Sequence, residues 1–91
     1  MIRVPYTSQL FYEGDQVVAL CRELNVSSFG ETPEQALSCL REAVMLFLEE
    51  CQRMGTLEIV LEEAGYHQDP SSHRWLYRQP LQINHLEVAL A

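Results

Sequence analysis

The sequence predicts an α+β fold in which a three-stranded antiparallel meander packs on one long helix. A short second helix and a C-terminal strand follow, giving the order β-β-β-α-α-β. β-Branched and aromatic residues are frequent before residue 30, and residues 32–54 repeat apolar side chains at helical spacing. Because that helix is apolar on one face only, it needs one face of a sheet to cover it. The 91 residues form one domain, 1–91, with its core over 2–64.

The first 29 residues predict the three strands of the meander. Residues 2–12 predict a first strand, and Pro5 places it at a sheet edge because proline lacks a backbone donor. A polar turn at 13–16 leads into 17–21, which is apolar on both faces and therefore central. Residues 26–29 predict a short third strand.

The long helix is predicted over Thr32–Met54. Thr32 is a typical N-cap, Pro33 suits the first helical position, and Gln35 completes a capping box with Thr32. At 100° per residue, the apolar side chains fall within an arc of about 140°. The arc comprises Ala36, Leu37, Leu40, Ala43, Val44, Phe47, Leu48, Cys51 and Met54.

The second helix is predicted over 57–64, between Gly55 and Gly65 and with Thr56 as its cap. Turn-forming residues then dominate 66–73, which predicts a loop. Residues of strand character return near the end of the chain, so we expect a terminal strand at about 82–90. It would join the sheet of its own chain or of a neighbouring chain.

The charge of the chain excludes some partners and favours others. The net charge is −7, lysine is absent, and residues 31–63 carry eight acidic side chains against two arginines. Such a surface repels phosphate backbones and attracts basic proteins, so we expect no direct nucleic-acid contact. No apolar run is long enough for a membrane span and no signal peptide is visible, so the expected location is the cytoplasm.

No cofactor, metal site or catalytic motif is predicted. The three cysteines lack CxxC spacing, which favours free thiols over structural zinc. His67, Asp69 and His73 are metal-ligand types, but they lie in the polar loop and fit no helix face. We therefore expect the two histidines to be solvent-exposed.

An enzyme is the less favoured alternative. The strands and their connections offer a metal-dependent nuclease the carboxylates of Glu13, Asp15, Glu23 and Glu87. The first three are the only candidate cluster, and nothing in the sequence makes them converge. The patch 73–78, HRWLYR, mixes arginines with aromatics in a way typical of base stacking. Anchoring of the terminal segment by Trp75 and Tyr77 is the favoured interpretation.

The chain resembles the HicB family of small antitoxins along one segment. That segment runs from 17 to 37, VVALCRELNVSSFGETPEQAL, and continues with Leu40-Arg41-Glu42-Ala43. The family pattern is a hairpin strand, a short E-L or D-L turn, a strand ending in G-[DE]-T, and a helix that opens E-x-A-L and continues into R-E-A. The resemblance covers about residues 2–64, and the terminal strand loosely.

The resemblance implies a truncated ribonuclease H fold without its catalytic carboxylates, and a protein that neutralises a small basic mRNA-cleaving toxin. We expect a stand-alone, homo-oligomeric form without a DNA-binding module; an orphan scaffold with an unknown partner is the alternative. Candidate partner-binding residues are Glu13, Asp15, Glu23, Glu42 and Glu49. Candidate oligomer contacts are Cys39, Met45, Leu46 and Trp75.

Overall fold

The computed structural model describes residues 1–91 and confirms the predicted fold class. The elements are β1 (Gln9–Glu13), β2 (Gln16–Cys21), β3 (Val26–Gly30), α1 (Pro33–Arg53), α2 (Leu57–Ala64), β4 (Tyr66–Gln68) and β5 (Trp75–Tyr77). Strands β1, β2 and β3 form an antiparallel sheet in that order, and β4 and β5 form a separate hairpin. Helix α1 packs on one face of the larger sheet, where the core lies.

The first hairpin has the shortest connection that antiparallel strands allow. Glu13 pairs with Gln16, so Gly14 and Asp15 alone make the turn. Gly14 has a φ of +64°, which glycine adopts without the steric cost that a side chain imposes. The sequence predicted this hairpin correctly.

The first strand is shorter than predicted. It begins at Gln9 rather than near residue 2, and the preceding residues are bound by contacts outside the sheet. The carbonyl of Pro5 accepts a hydrogen bond of 2.6 Å from the Tyr66 hydroxyl, and the Thr7 amide donates to Glu23. The backbone of Pro5 and Thr7 is therefore held by the side chains of Tyr66 and Glu23, and residues 1–8 do not extend the ladder.

Strand β2 is central, as predicted. Val17, Ala19 and Cys21 point toward α1 and are buried, whereas Val18 and Leu20 on the other face are half-buried. On β3, Gly30 allows an unusually close approach to the start of α1. A Cβ at this position would lie 2.8 Å from the Ala36 nitrogen. The glycine therefore fixes how closely α1 packs on the sheet.

Helix α1 begins and ends where the sequence predicts. The Gln35 amide donates to the Thr32 hydroxyl at 3.1 Å. The Gln35 side chain accepts from the amide of Glu31 at 2.6 Å, one residue before the position that a capping box uses. The cap thus satisfies two amide donors at the helix entry.

The buried face of α1 is narrower than the predicted arc. Ala36, Leu40, Val44 and Cys51 are buried, but Leu37 and Phe47 remain 39% and 37% exposed. Both lie inside the arc, between residues that are buried or half-buried, so their exposure depends on what lies opposite them along the helix and not on their angle around it. The prediction that Leu37 and Phe47 lie in the core is therefore wrong.

Helix α2 has the predicted bounds but not the predicted cap. The Thr56 side chain makes no capping bond to α2; its hydroxyl donates to the Cys51 carbonyl at 3.3 Å, at the end of α1. Leu61, which is fully buried, fixes α2 in the core. Thr56 thus joins the two helices.

The C-terminal part differs from the prediction. Residues 66–73 are not a loop throughout, because β4 pairs with β5 with Tyr66 opposite Tyr77. Asp69 closes the connecting turn by accepting from the Ser71 and Ser72 hydroxyls. Residues 82–90 form no strand and are exposed, so the last strand is β5. Strands β4 and β5 are close in sequence, so their pairing closes a short loop. This costs less conformational entropy than pairing a terminal strand with the distant first sheet.

Candidate protein-binding surface

Four side chains on the solvent side of α1 form what we call the outer face: Glu42, Met45, Leu46 and Glu49. Their spacing of three, four and seven residues places them on one side of the helix, within about 10.5 Å along its axis. Met45 is 51% exposed and Leu46 57% exposed, and both glutamates are exposed. An apolar centre is thus flanked by two carboxylates.

The charges on this surface are not neutralised within the chain. The one ion pair in the structure joins Arg53 to Glu50, and the Arg53 Nε atom donates to Glu50 at 3.0 Å. That bond holds the pKa of the Glu50 carboxyl below its usual value and raises that of Arg53. Glu42 and Glu49 therefore remain available to basic groups of a partner.

A groove of about 700 Å³ borders the outer face. It lies between α1 and the N-terminal segment, and Met45 and Glu49 belong to its lining. Three arginines, Arg3, Arg41 and Arg74, also line it. Glu49 therefore lies where the acidic outer face meets a groove that arginines line.

The five predicted partner-binding acids do not form one cluster. Glu13 and Asp15 lie exposed at the first hairpin, and Glu23 follows the other end of β2, about 17 Å away at the rise of a strand. The structure therefore does not bring together the three carboxylates named for a metal-dependent nuclease. Of the five, Glu42 and Glu49 share the outer face of α1, whereas Glu13 and Asp15 share the first hairpin.

Glu23 binds its own chain. Its carboxylate accepts from the Thr7 amide at 3.0 Å, the Thr7 hydroxyl at 2.7 Å and the Cys21 thiol at 3.6 Å. Burial alone would raise the pKa of Glu23, but the bonds from Thr7 outweigh it and lower the pKa below its usual value. Burial, and then Glu23, raise the pKa of the Tyr66 hydroxyl. Glu23 thus attaches the N-terminal segment to the sheet.

The Glu23→Gln variant should show a pH-dependent loss of stability. Because the folded-state pKa lies below the unfolded one, ionised Glu23 stabilises the fold above its unfolded pKa. This contribution is lost as the pH falls through the folded pKa. We expect the variant to lose about 1 kcal/mol of unfolding free energy at pH 7. Urea denaturation should show that the difference in unfolding free energy between wild type and variant shrinks toward pH 3. The control Glu62→Gln, at an exposed site, should change the unfolding free energy little at any pH. A loss independent of pH would contradict this assignment.

The candidate oligomer contacts separate into two groups. Met45 and Leu46 are exposed and Cys39 is half-buried, so they remain open to a partner. Trp75 is only 5% exposed and packs in the core with Leu61 and Tyr66. Its indole therefore offers little surface to another subunit, and the assignment of Trp75 as an oligomer contact stays a prediction.

The basic and aromatic patch at 73–78 anchors the second hairpin. The Tyr66 and Tyr77 rings meet edge to face, with centroids 4.8 Å apart, and the Arg78 guanidinium lies 6.0 Å from the Tyr77 centroid. These aromatic faces are occupied within the chain. No three histidine, cysteine, aspartate or glutamate side chains come together as a metal site would require.

Sequence reasoning missed an apolar row on the sheet face opposite α1. The pairing register aligns Phe11, Val18 and Phe29 across the three strands, with Phe11 51% and Phe29 61% exposed. Phe11 interrupts the predicted alternation of strand one, and this interruption is the sequence feature that could have indicated the apolar row.

Neither helix combines the length and the apolar character that crossing a membrane requires.

Comparisons of the chain with protein-family models, with curated protein sequences and with solved structures find no match.

Proposed function

We propose that this chain is a non-catalytic, HicB-like antitoxin that binds and neutralises a small basic mRNA-cleaving toxin of the HicA type. The proposal rests on the outer face of α1, and the resemblance of residues 17–37 to the family supports it. It places the chain in the cytoplasm, where the mRNA targets of such a toxin are found.

The composition of the outer face supports protein binding. Met45 and Leu46 provide an apolar centre, and Glu42 and Glu49 flank it. Protein interfaces have this arrangement, with an apolar centre rich in methionine and a polar rim. The rim charges speed association with an oppositely charged partner and select against others.

Neutralisation would follow from steric cover and charge. A protein that cleaves RNA needs a basic surface, because its substrate carries one negative charge per nucleotide. Glu42 and Glu49 would compete with those phosphates for the same basic groups. Since exposed charges are screened by salt, the association rate should fall as ionic strength rises.

Charge reversal on the outer face tests the proposal. The full chain and the product of a short basic reading frame adjacent to its gene are mixed, and the affinity is measured by calorimetry. The double variant Glu42→Lys and Glu49→Lys should bind about 100-fold or more weakly, because two attractive contacts become repulsive. The same variant should fail to relieve the toxin's effect on growing cells.

A matched control changes the same charge elsewhere. Glu62 and Glu63 are exposed on α2, away from the outer face, so Glu62→Lys with Glu63→Lys alters net charge equally. This control should stay within about threefold of the wild-type affinity. Equal losses in both double variants would assign the effect to net charge alone. If the wild-type chain neither binds the basic protein nor relieves its toxicity, the antitoxin proposal fails and the orphan scaffold replaces it.

A further inference from the structure

Residues 79–91, which we call the C-terminal arm, leave the body of the protein after β5. Five large apolar side chains in the arm are 69–102% exposed: Leu81, Ile83, Leu86, Val88 and Leu90. Glu87 is its only acidic residue, and it contains no lysine or arginine. Exposing an apolar segment of low charge to water is unfavourable, which indicates that another surface normally covers the arm.

The sequence of the arm suits a strand. Leu86, Val88 and Leu90 alternate with Glu87 and Ala89, so one side of an extended chain would be apolar. In the structure the arm belongs to neither sheet. The radius of gyration is 16.0 Å, whereas a compact chain of this length has about 12 Å, consistent with an arm that lies outside the body.

The complementary surface lies on β1. All five residues of this strand are exposed, and Leu10, Phe11 and Tyr12 are 40%, 51% and 83% exposed. Strand β1 is at the edge of the sheet, so the hydrogen-bonding groups on its outer side have no partner strand. An exposed apolar edge readily adds another strand.

We propose that the arm of one copy pairs with β1 of a second copy as a fourth strand, and that reciprocal exchange of two arms forms a dimer. Each chain supplies both an unpaired apolar arm and an unpaired apolar edge at β1. In a dimer, each arm can therefore pair with β1 of the other copy. An isologous dimer makes this contact twice. The proposal does not depend on the antitoxin function, because it uses residues outside the outer face of α1.

The expected buried area reaches the lower part of the range that stable dimers bury. Burying one Leu, Ile or Val side chain corresponds to about 60–120 Å² of apolar surface at 25 cal/mol per Å². Strand β1 has five residues, which is the length of arm that Leu86, Val88 and Leu90 occupy. Three such side chains in each of two arms, with the surface that they cover, bury roughly 700–1,400 Å². Stable protein interfaces bury about 1,200–2,000 Å².

Mass measurement on the full chain tests the dimer. Light scattering after size exclusion should give twice the chain mass of 10.5 kDa. Val88→Asp in the arm and Tyr12→Asp on β1 should each weaken dimerisation at least 100-fold. The control Ile59→Asp, at a side chain 60% exposed on α2, should remain dimeric. Circular dichroism checks that every variant is folded.

Mixing the two monomeric variants distinguishes exchange from other dimers. The Val88→Asp chain keeps an intact β1 and the Tyr12→Asp chain keeps an intact arm, so together they can form one complete contact. The mixture should contain dimers at concentrations where each variant alone is monomeric. A monomeric wild type, protection of the arm amides in a monomer, or a mixture without dimers would overturn the proposal. So would a dimer that Leu46→Glu dissociates and Val88→Asp does not.

Discussion

Replacing Leu40 with alanine should lower the free energy of unfolding by about 2–5 kcal/mol. Leu40 is fully buried on α1 and belongs to the cluster that joins the helix to β2, α2 and the second hairpin. Alanine removes its packing contacts and leaves a cavity that the surrounding elements cannot fill completely. Since a chain of this length has roughly 5–14 kcal/mol of stability, the variant loses a large share of it.

Leu37→Ala is the matched control for Leu40→Ala. It makes the same substitution in the same helix, but Leu37 is 39% exposed, and solvent fills the space that its side chain leaves. We expect a loss below about 1 kcal/mol, because only part of the side chain is removed from water. Urea denaturation of both variants measures the difference. Equal losses would show that Leu37 is covered in solution, for example by a second subunit.

Replacing Gly30 with alanine is expected to destabilise the fold by about 1–3 kcal/mol, or roughly 4–24 °C in melting temperature. The added Cβ would lie 2.8 Å from the Ala36 nitrogen and 3.0 Å from the Gln35 carbonyl carbon. Both are backbone atoms, so no side-chain rotation relieves the contact. The first turn of α1 must move away from the sheet.

Hydrogen exchange locates that movement. The Ala36 amide donates to the Thr32 carbonyl at 2.9 Å in the first turn of α1, so this amide should exchange faster in Gly30→Ala. The control Ser28→Ala lies on the same strand and the same face, where it adds no atoms. It should leave both stability and Ala36 exchange nearly unchanged. A stability within about 0.5 kcal/mol of wild type for Gly30→Ala would show that the helix shifts freely.

The elements that the sequence predicted well depend on neighbouring residues. Thr32 and Gln35 specify the start of α1 within one turn of helix, and Gly14 and Asp15 specify the hairpin within two residues. Both interactions involve only residues that are close in sequence, so they require no distant part of the chain. The central position of β2 followed from apolar residues on both of its faces.

The features that sequence reasoning missed depend on distant contacts. Strand β1 begins at Gln9 because Pro5 is bound by Tyr66, which is 61 residues away. Leu37 lies on the apolar arc of α1 but is 39% exposed, because its burial depends on which residues of the other layer lie opposite it. Residues 82–90 have the alternation of a strand, but alternation does not identify the edge that a strand joins.

The candidate surface was predictable in part. Helical spacing alone places Glu42, Met45 and Glu49 on one side of α1. Only the structure shows that Glu23, with the same charge, is instead held by Thr7. The difference lies in the surroundings of each carboxylate and not in its sequence neighbours.

The order of the chain has a consequence for when each surface forms. The Tyr66–Pro5 bond spans 61 residues, whereas β1, β2 and β3 pair with their neighbours in sequence and α1 follows directly. Because short loops close at a smaller entropic cost, we expect residues 9–53 to fold first. During synthesis the outer face of α1 is then complete before residues 79–91 have been added. A partner of that face can therefore bind the nascent chain before residues 79–91 are available for exchange between two copies.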